Sequence, residues 1–163
     1  MSKKIPVSGG HFAIVDDEDY ASCSRYKWYA YKTDRCVYAK RNLTAKEQKS
    51  YGKTSIPMHR EILGLNEDCV TDHINHNGLD NRRSNLRSCS QQQNCYNKRG
   101  KRNTSSKYKG VGWNKRLKKW EAVIKAFGRN IKLGSFDEEV FAAEAYNVAA
   151  VKCFGEFAYQ NEI

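Results

Sequence analysis

No stretch of the 163 residues is long and apolar enough to cross a bilayer. The opening residues, Met1-Ser2-Lys3-Lys4, lead into no apolar core of a secretory signal. These two absences predict a cytoplasmic protein whose thiols stay reduced. Six cysteines are present, at 23, 36, 69, 89, 95 and 153, but no Cys-x-x-Cys pair. That spacing argues against a zinc ribbon, and the thiols read as small buried hydrophobes. Acid is scarce in one region. Between Lys98 and Lys132, Glu121 stands alone among lysines and arginines, while Asp16-Asp17-Glu18-Asp19 sits near the other end.

What is there is positive charge. The formal net charge is +11, and the pI is about 9.4. Because the excess is regional and not spread evenly, it points to a polyanionic partner, and double-stranded DNA is the expected one. The chain length suits one medium domain or two small ones.

Residues 5 to 57 read as a β-rich segment. Phe12 to Val15, Tyr26 to Tyr31 and Cys36 to Ala39 are rich in strand-favouring side chains. Asp16 to Ser24 is expected to form a short helix with a solvated acidic start. A short amphipathic helix is predicted over 58–65, stopping near Gly64. Val70 to Ile74 and Leu86 to Cys89 are predicted strands flanking a polar loop, Asn75 to Asn85. A helix should start at Ser90, with Gln93 at capping-box spacing, and run to about Lys98. The stretch 99–106 is small, polar and basic, and is predicted to be a linker. Three strands follow, at 108–113, 120–125 and 130–134. A helix capped by Asp137 then buries a stripe of Phe141, Ala142, Ala145, Val148, Ala149 and Cys153, and ends at Gly155. The predicted fold class is therefore α+β. A β-rich N-terminal segment and a ββα unit fill 1–98, a basic linker 99–106, and a three-stranded antiparallel sheet packed on one helix 107–163.

The ββα unit carries the chemistry. Asp72 and the amide oxygen of Asn94 make two hard oxygen ligands for one divalent cation, Mg²⁺ or Mn²⁺, with water and phosphate completing the shell. His73 is a neutral imidazole able to take a proton from water, and the metal would stabilise the leaving oxygen. Neighbours on a strand point to opposite faces, so a local distortion is expected to bring Asp72 and His73 to one site. Arg82, Arg83 and Arg87 either clamp phosphates or are solvated charges. His59 either touches phosphate or packs beside the site. His76 is exposed or a phosphate contact, and His11 is structural.

Asp72-His73, Asn85 and Asn94, in the frame Met58-His59-Arg60, Gly78, Asp80-Asn81-Arg82 and Asn85-Leu86-Arg87, resemble the HNH homing endonucleases of the ββα-metal type. The likeness is to the branch of phages and group I introns whose last histidine is an asparagine. It implies that His73 is the general base, that Asp72 and Asn94 hold the metal, and that Asn85 braces the loop orienting the histidine. It also implies a bacterial host cytoplasm if a phage encodes the chain.

A second resemblance covers residues 106–161. Tyr108-Lys109-Gly110-Val111, Trp120 to Ile124, Leu133-Gly134-Ser135-Phe136 and Ala142 to Ala150 are similar to the Apetala-two type DNA-binding domain. That family lays its sheet in the major groove. The free face is expected to offer Lys109, Trp113, Lys115, Arg116, Lys125 and Lys132, and the linker Lys101 and Arg102, to DNA. The reading is a metal-dependent, site-selective DNA endonuclease of homing type, monomer or homodimer, with no small-molecule cofactor and no membrane. Its alternatives are a DNA-binding regulator on an inactive nuclease fold, and a structured-RNA binder or ribonuclease.

Overall fold

Strict alternation starts the fold. In Ser2–Val7 (β1) Ile5 and Val7 are buried while Lys4 and Pro6 face outward. The strand pairs antiparallel with His11–Asp16 (β2), where Ala13 and Val15 are buried in turn. The computed structural model describes residues 1–64, 70–100 and 104–163. Their contacts divide the chain into two compact units, Met1–Gln91 and Gln92–Ile163.

In the first unit, Asp17–Cys23 (α1) follows β2. Tyr29–Lys32 (β3), Val37–Asn42 (β4) and Ser55–Pro57 (β5) form an antiparallel sheet in that order. Between the last two strands lies a helix the sequence reading did not foresee, Ala45–Tyr51 (α2). It buries no residue, so no apolar stripe announces it. Its capping box does: Thr44 accepts from the Glu47 N–H, and Glu47 accepts from the Thr44 N–H. Met58–Leu63 (α3) stops at Gly64 in the left-handed conformation. Leu65, the predicted end of that helix, lies outside the described residues. The core gathers Ile5, Val7, Ala13, Val15, Trp28, Ala39, Met58, Ile62 and Leu86.

One buried charge organises this unit. Arg41 on β4 is 4% exposed. It donates to Glu61 at 2.6 and 2.9 Å, and to Glu47 at 2.7 Å. The guanidinium ties α2 and α3 to β4, with the Tyr26 ring beneath it.

Val70–His73 (β6) and Leu86–Cys89 (β7) form a two-stranded antiparallel ribbon. Gln91–Asn97 (α4) starts at the boundary between the units. In the second unit, Val111–Asn114 (β8), Lys119–Ala126 (β9) and Arg129–Phe136 (β10) make an antiparallel sheet with β9 central. Glu139–Phe154 (α5) packs on one face of it. The buried stripe keeps Ala142, with Ala145, Ala149 and Cys153 packed against the core, and departs from the expected one elsewhere. Ala142, Ala143, Tyr146 and Ala150 are buried, whereas Phe141 is 50% and Val148 62% exposed. So many alanines line α5 that apolar periodicity alone does not fix which stripe faces the sheet. Nor does Asp137 cap it: the N-cap is Glu138, which makes no side-chain capping bond. The class is α+β, with antiparallel sheets throughout. Among the described residues, no helix is long and apolar enough to cross a membrane.

Candidate active site

The ribbon β6–β7 and the loop between its strands carry the predicted catalytic residues. Its register is regular: Asp72 faces Arg87 and His73 faces Leu86. Neighbours on a regular ladder point to opposite faces. The distortion expected to bring Asp72 and His73 together is therefore absent from this ladder. His73 shares its face with Leu86 of the core, and Asp72 shares the other with Arg87.

His73 is 6% exposed. Its ring meets the His59 ring at 4.9 Å and 90°, and the Tyr38 ring at 5.8 Å. Its Nε2 lies 3.4 Å from the Asn81 Oδ1. Burial pushes the imidazole below its ordinary pKa, and the Asn81 contact and the nearby Asp72 and Asp80 oppose that. The outcome is a neutral ring, the form that accepts protons. Sequence reasoning missed Asn81. It is fully buried, its N–H donates to the Ile14 carbonyl at 2.7 Å, and its Nδ2 finds no protein partner among the described residues. Ile14 also donates to the Leu79 carbonyl at 2.8 Å. The N-terminal hairpin thus holds the loop residue that faces the histidine. No local motif around Asn81 shows this, because its partner lies 67 positions upstream in sequence terms on β2.

Of the two readings left open for His59, the structure describes the packed one. Its Nδ1 is buried without a protein partner among the described residues. Burial, then the neighbouring His73, Arg60 and Lys40, push its pKa down to about 3. In the unfolded chain the value is near 6.5. Below pH 6.5 the unfolded chain therefore binds a proton that the folded chain refuses. Stability falls with decreasing pH across that window, by up to about 1.4 kcal/mol per pH unit for one fully linked proton. His59→Phe is expected to flatten the slope between pH 6.5 and 4 in urea unfolding, and an unchanged slope would refute this linkage.

The loop is braced from within. Asn85, a buried residue, accepts from the Asn75 N–H at 3.0 Å and donates to the Asp80 carbonyl at 2.7 Å. Asp80 accepts from Asn75 Nδ2 and takes both Nε and Nη2 of Arg82. Gly78 presses on β4: a Cβ there would lie 2.5 Å from the Tyr38 ring and 2.6 Å from the Val37 carbonyl.

All three arginines proposed for phosphate are engaged with carboxylates. Arg82 pairs with Asp80, and Arg83 with Asp19 and Glu18. The acidic run is thus not merely a solvated helix start, since Asp19 is 6% exposed and paired. Arg87 donates through Nε and Nη2 to the Asp72 Oδ2, at 2.9 and 2.7 Å. Arg82 and Arg83 keep side chains 42% and 47% exposed, whereas that of Arg87 is 13% exposed. Asn94 is half-buried on α4 and belongs to the second unit.

In the second unit the predicted DNA face is rearranged. Lys109 turns inward: its ammonium donates to the carbonyls of Tyr96 and Lys98, at 2.7 and 2.6 Å. Burial lowers its pKa to about 8. Trp113 faces Trp120 in register, with the rings 5.1 Å apart. Cross-strand partners share a face. Trp113 therefore lies on the helix side of the sheet with Val111 and Ala122, and not on the free face where it was expected; it is still 40% exposed. Lys132 pairs with Glu121 on the free face. Lys115, Arg116 and Lys125 are exposed. Lys101 and Arg102 lie outside the described residues.

The chain that carries this strand end and its asparagine-braced loop belongs to the HNH endonuclease family. Over 162 residues it is 35% identical to an uncharacterised HNH endonuclease of Acanthamoeba polyphaga mimivirus, a match taking in 94% of this chain and 76% of that protein. A stretch of 58 residues, 36% of the chain, is 45% identical to an AP2-like ethylene-responsive transcription factor of Arabidopsis thaliana, covering 12% of it. The same length is 43% identical to an APETALA2-like protein of Oryza sativa subsp. indica, covering 13% of it. No family model matches the chain, and no solved structure does.

Proposed function

We propose that this chain is a metal-dependent, site-selective DNA endonuclease of the homing type, close to the phage and intron branch. The observation that carries the reading is His73: an imidazole held neutral by burial, next in sequence to an acid, at the end of β6 where the loop braced by Asn85 begins. A neutral imidazole takes the proton from the attacking water. Asp72 and Asn94 would hold the cation. Their donors are a carboxylate and an amide oxygen, which suit Mg²⁺ or Mn²⁺ filled out by water and phosphate oxygens. Binding there requires Asp72 to share or give up its Arg87 contact. The metal, when bound, stabilises negative charge on the leaving oxygen. Asn81 and Asn85 fix the loop.

The nuclease part is proposed to occupy 1–98, the basic stretch 99–106 to join it, and the sheet-and-helix module at 107–163 to be the part resembling the plant factors. Lys115, Arg116 and Lys125 are its exposed cations for DNA, with Lys101 and Arg102 adding to the joining stretch. A cytoplasmic site of action follows from the same reading.

The test is conversion of supercoiled plasmid bearing host sequence. Mg²⁺ is expected to support nicking, chelation to stop it, and duplex DNA to compete better than duplex RNA. No conversion with either Mg²⁺ or Mn²⁺ would sink the reading. One observation favours a DNA-binding regulator on an inactive nuclease fold: His73 is only 6% exposed and Asp72 is already engaged by Arg87. That alternative requires tight duplex binding without any nicking.

A further inference from the structure

The connection between β9 and β10 consists of Phe127 and Gly128, both at positive φ, 52° and 76°. Two such residues make a type I′ turn, for which asparagine or aspartate followed by glycine is favoured. Phe127 breaks that preference, because a bulky ring in the left-handed region is a backbone outlier. The fold gains no burial in return: the ring is 75% exposed. Lys125, Arg129 and Asn130 beside it are exposed as well, and no acid occurs from Lys125 to Lys132. Neither Lys125 nor Arg129 has an ion-pair partner among the described residues. Strained conformations that the interior does not stabilise tend to sit at functional positions.

The chemistry offered is one rigid apolar ring between two exposed cations. Duplex DNA presents the complement, phosphates flanking stackable base and sugar faces, and apolar wedges enter it between base steps. Resting on the proposed DNA-directed function, we infer that the Phe127 tip is a DNA-contacting wedge. Its ring packs against a partly opened base step, and Lys125 and Arg129 take the phosphates on either side.

The wedge makes stability and affinity move in opposite directions. Phe127→Asn places the favoured residue in the turn, so the full-length variant should melt at a higher temperature than the wild type. Its affinity for duplex DNA should fall about tenfold at fixed salt, with the slope of log K against log salt unchanged. Lys125→Gln and Arg129→Gln should each lower that slope by roughly one, since each removes a phosphate contact. A 2-aminopurine at the contacted step should brighten with wild type and not with Phe127→Asn. Equal affinity of Phe127→Asn and wild type would overturn the inference, and so would a lower melting temperature, which would make the ring a structural element. Loss of binding to phosphatidylserine vesicles with DNA affinity intact would assign the tip to membranes instead. Failure of the wild type to bind duplex DNA would overturn the functional reading itself.

Discussion

On the proposed mechanism, replacing His73 by alanine is expected to lower Mg²⁺-dependent nicking by about 10²- to 10⁴-fold, the range a positioned acid–base group contributes. Duplex affinity stays where it was. The ring is buried and neutral and touches His59, Tyr38 and Asn81, so it supplies no charge to the phosphates. Alanine also removes a side chain packed against two aromatic rings, and part of the loss would then be repacking. His73→Gln separates the two effects, because it fills much of the volume and cannot serve as the base. Glutamine should show the chemical share of the loss and alanine at least as much, while their unfolding midpoints differ. A glutamine variant with more than about a tenth of the wild-type rate would remove His73 from the chemistry. The burial of this ring gives the experiment its second edge. If the wild type binds duplex tightly and nicks nothing with either cation, the sealed histidine and the Arg87-held Asp72 are the native, inactive state of a DNA-binding protein.

The chain's local signals were legible where one element carried them whole. Gly64 ends α3 and Gly155 ends α5 in their predicted places, and the alternation of Trp120, Ala122 and Ile124 gave the inward face of β9. What stayed hidden were relations between elements. Trp113 reads as a solvent-facing aromatic until the register sets it opposite Trp120. Lys109 reads as one more basic residue on a basic face, yet two backbone carbonyls from the end of α4 claim its ammonium. Arg83 reads as a phosphate clamp until Asp16 and Asp19, more than sixty positions earlier, fold over it. The same distance hides Asn81, whose backbone is fixed by β2. Charge patterning counts cations without counting their partners, and the partners here are long-range. The missed helix α2 is a different failure. It has no apolar stripe to betray it, and its one strong mark was Thr44 three residues ahead of Glu47.

Gly110 is where the second unit is expected to be least tolerant. It sits at φ +78° just before β8, and its carbonyl accepts the Val123 N–H at 2.8 Å. A Cβ on it would come within 2.1 Å of the Tyr146 ring and 2.7 Å of the Val123 carbonyl. Tyr146 is 3% exposed and held in the sheet–helix core, so the ring has nowhere to retreat. Gly110→Ala therefore combines two penalties. The left-handed conformation costs alanine about 1–2 kcal/mol, and overpacking a filled core adds about 1–3 kcal/mol. The sum, about 3 kcal/mol, lowers the melting temperature by roughly 15 °C for a unit of this size. Gly128→Ala is the control, since its φ is also positive, +76°, but nothing lies within 4 Å of the added methyl. It should lose only the conformational share, about 1 kcal/mol. The difference between the two variants, read by thermal unfolding monitored at Trp113 and Trp120, isolates the clash with Tyr146. Two equal losses would mean that β8 and α5 are not packed through this glycine.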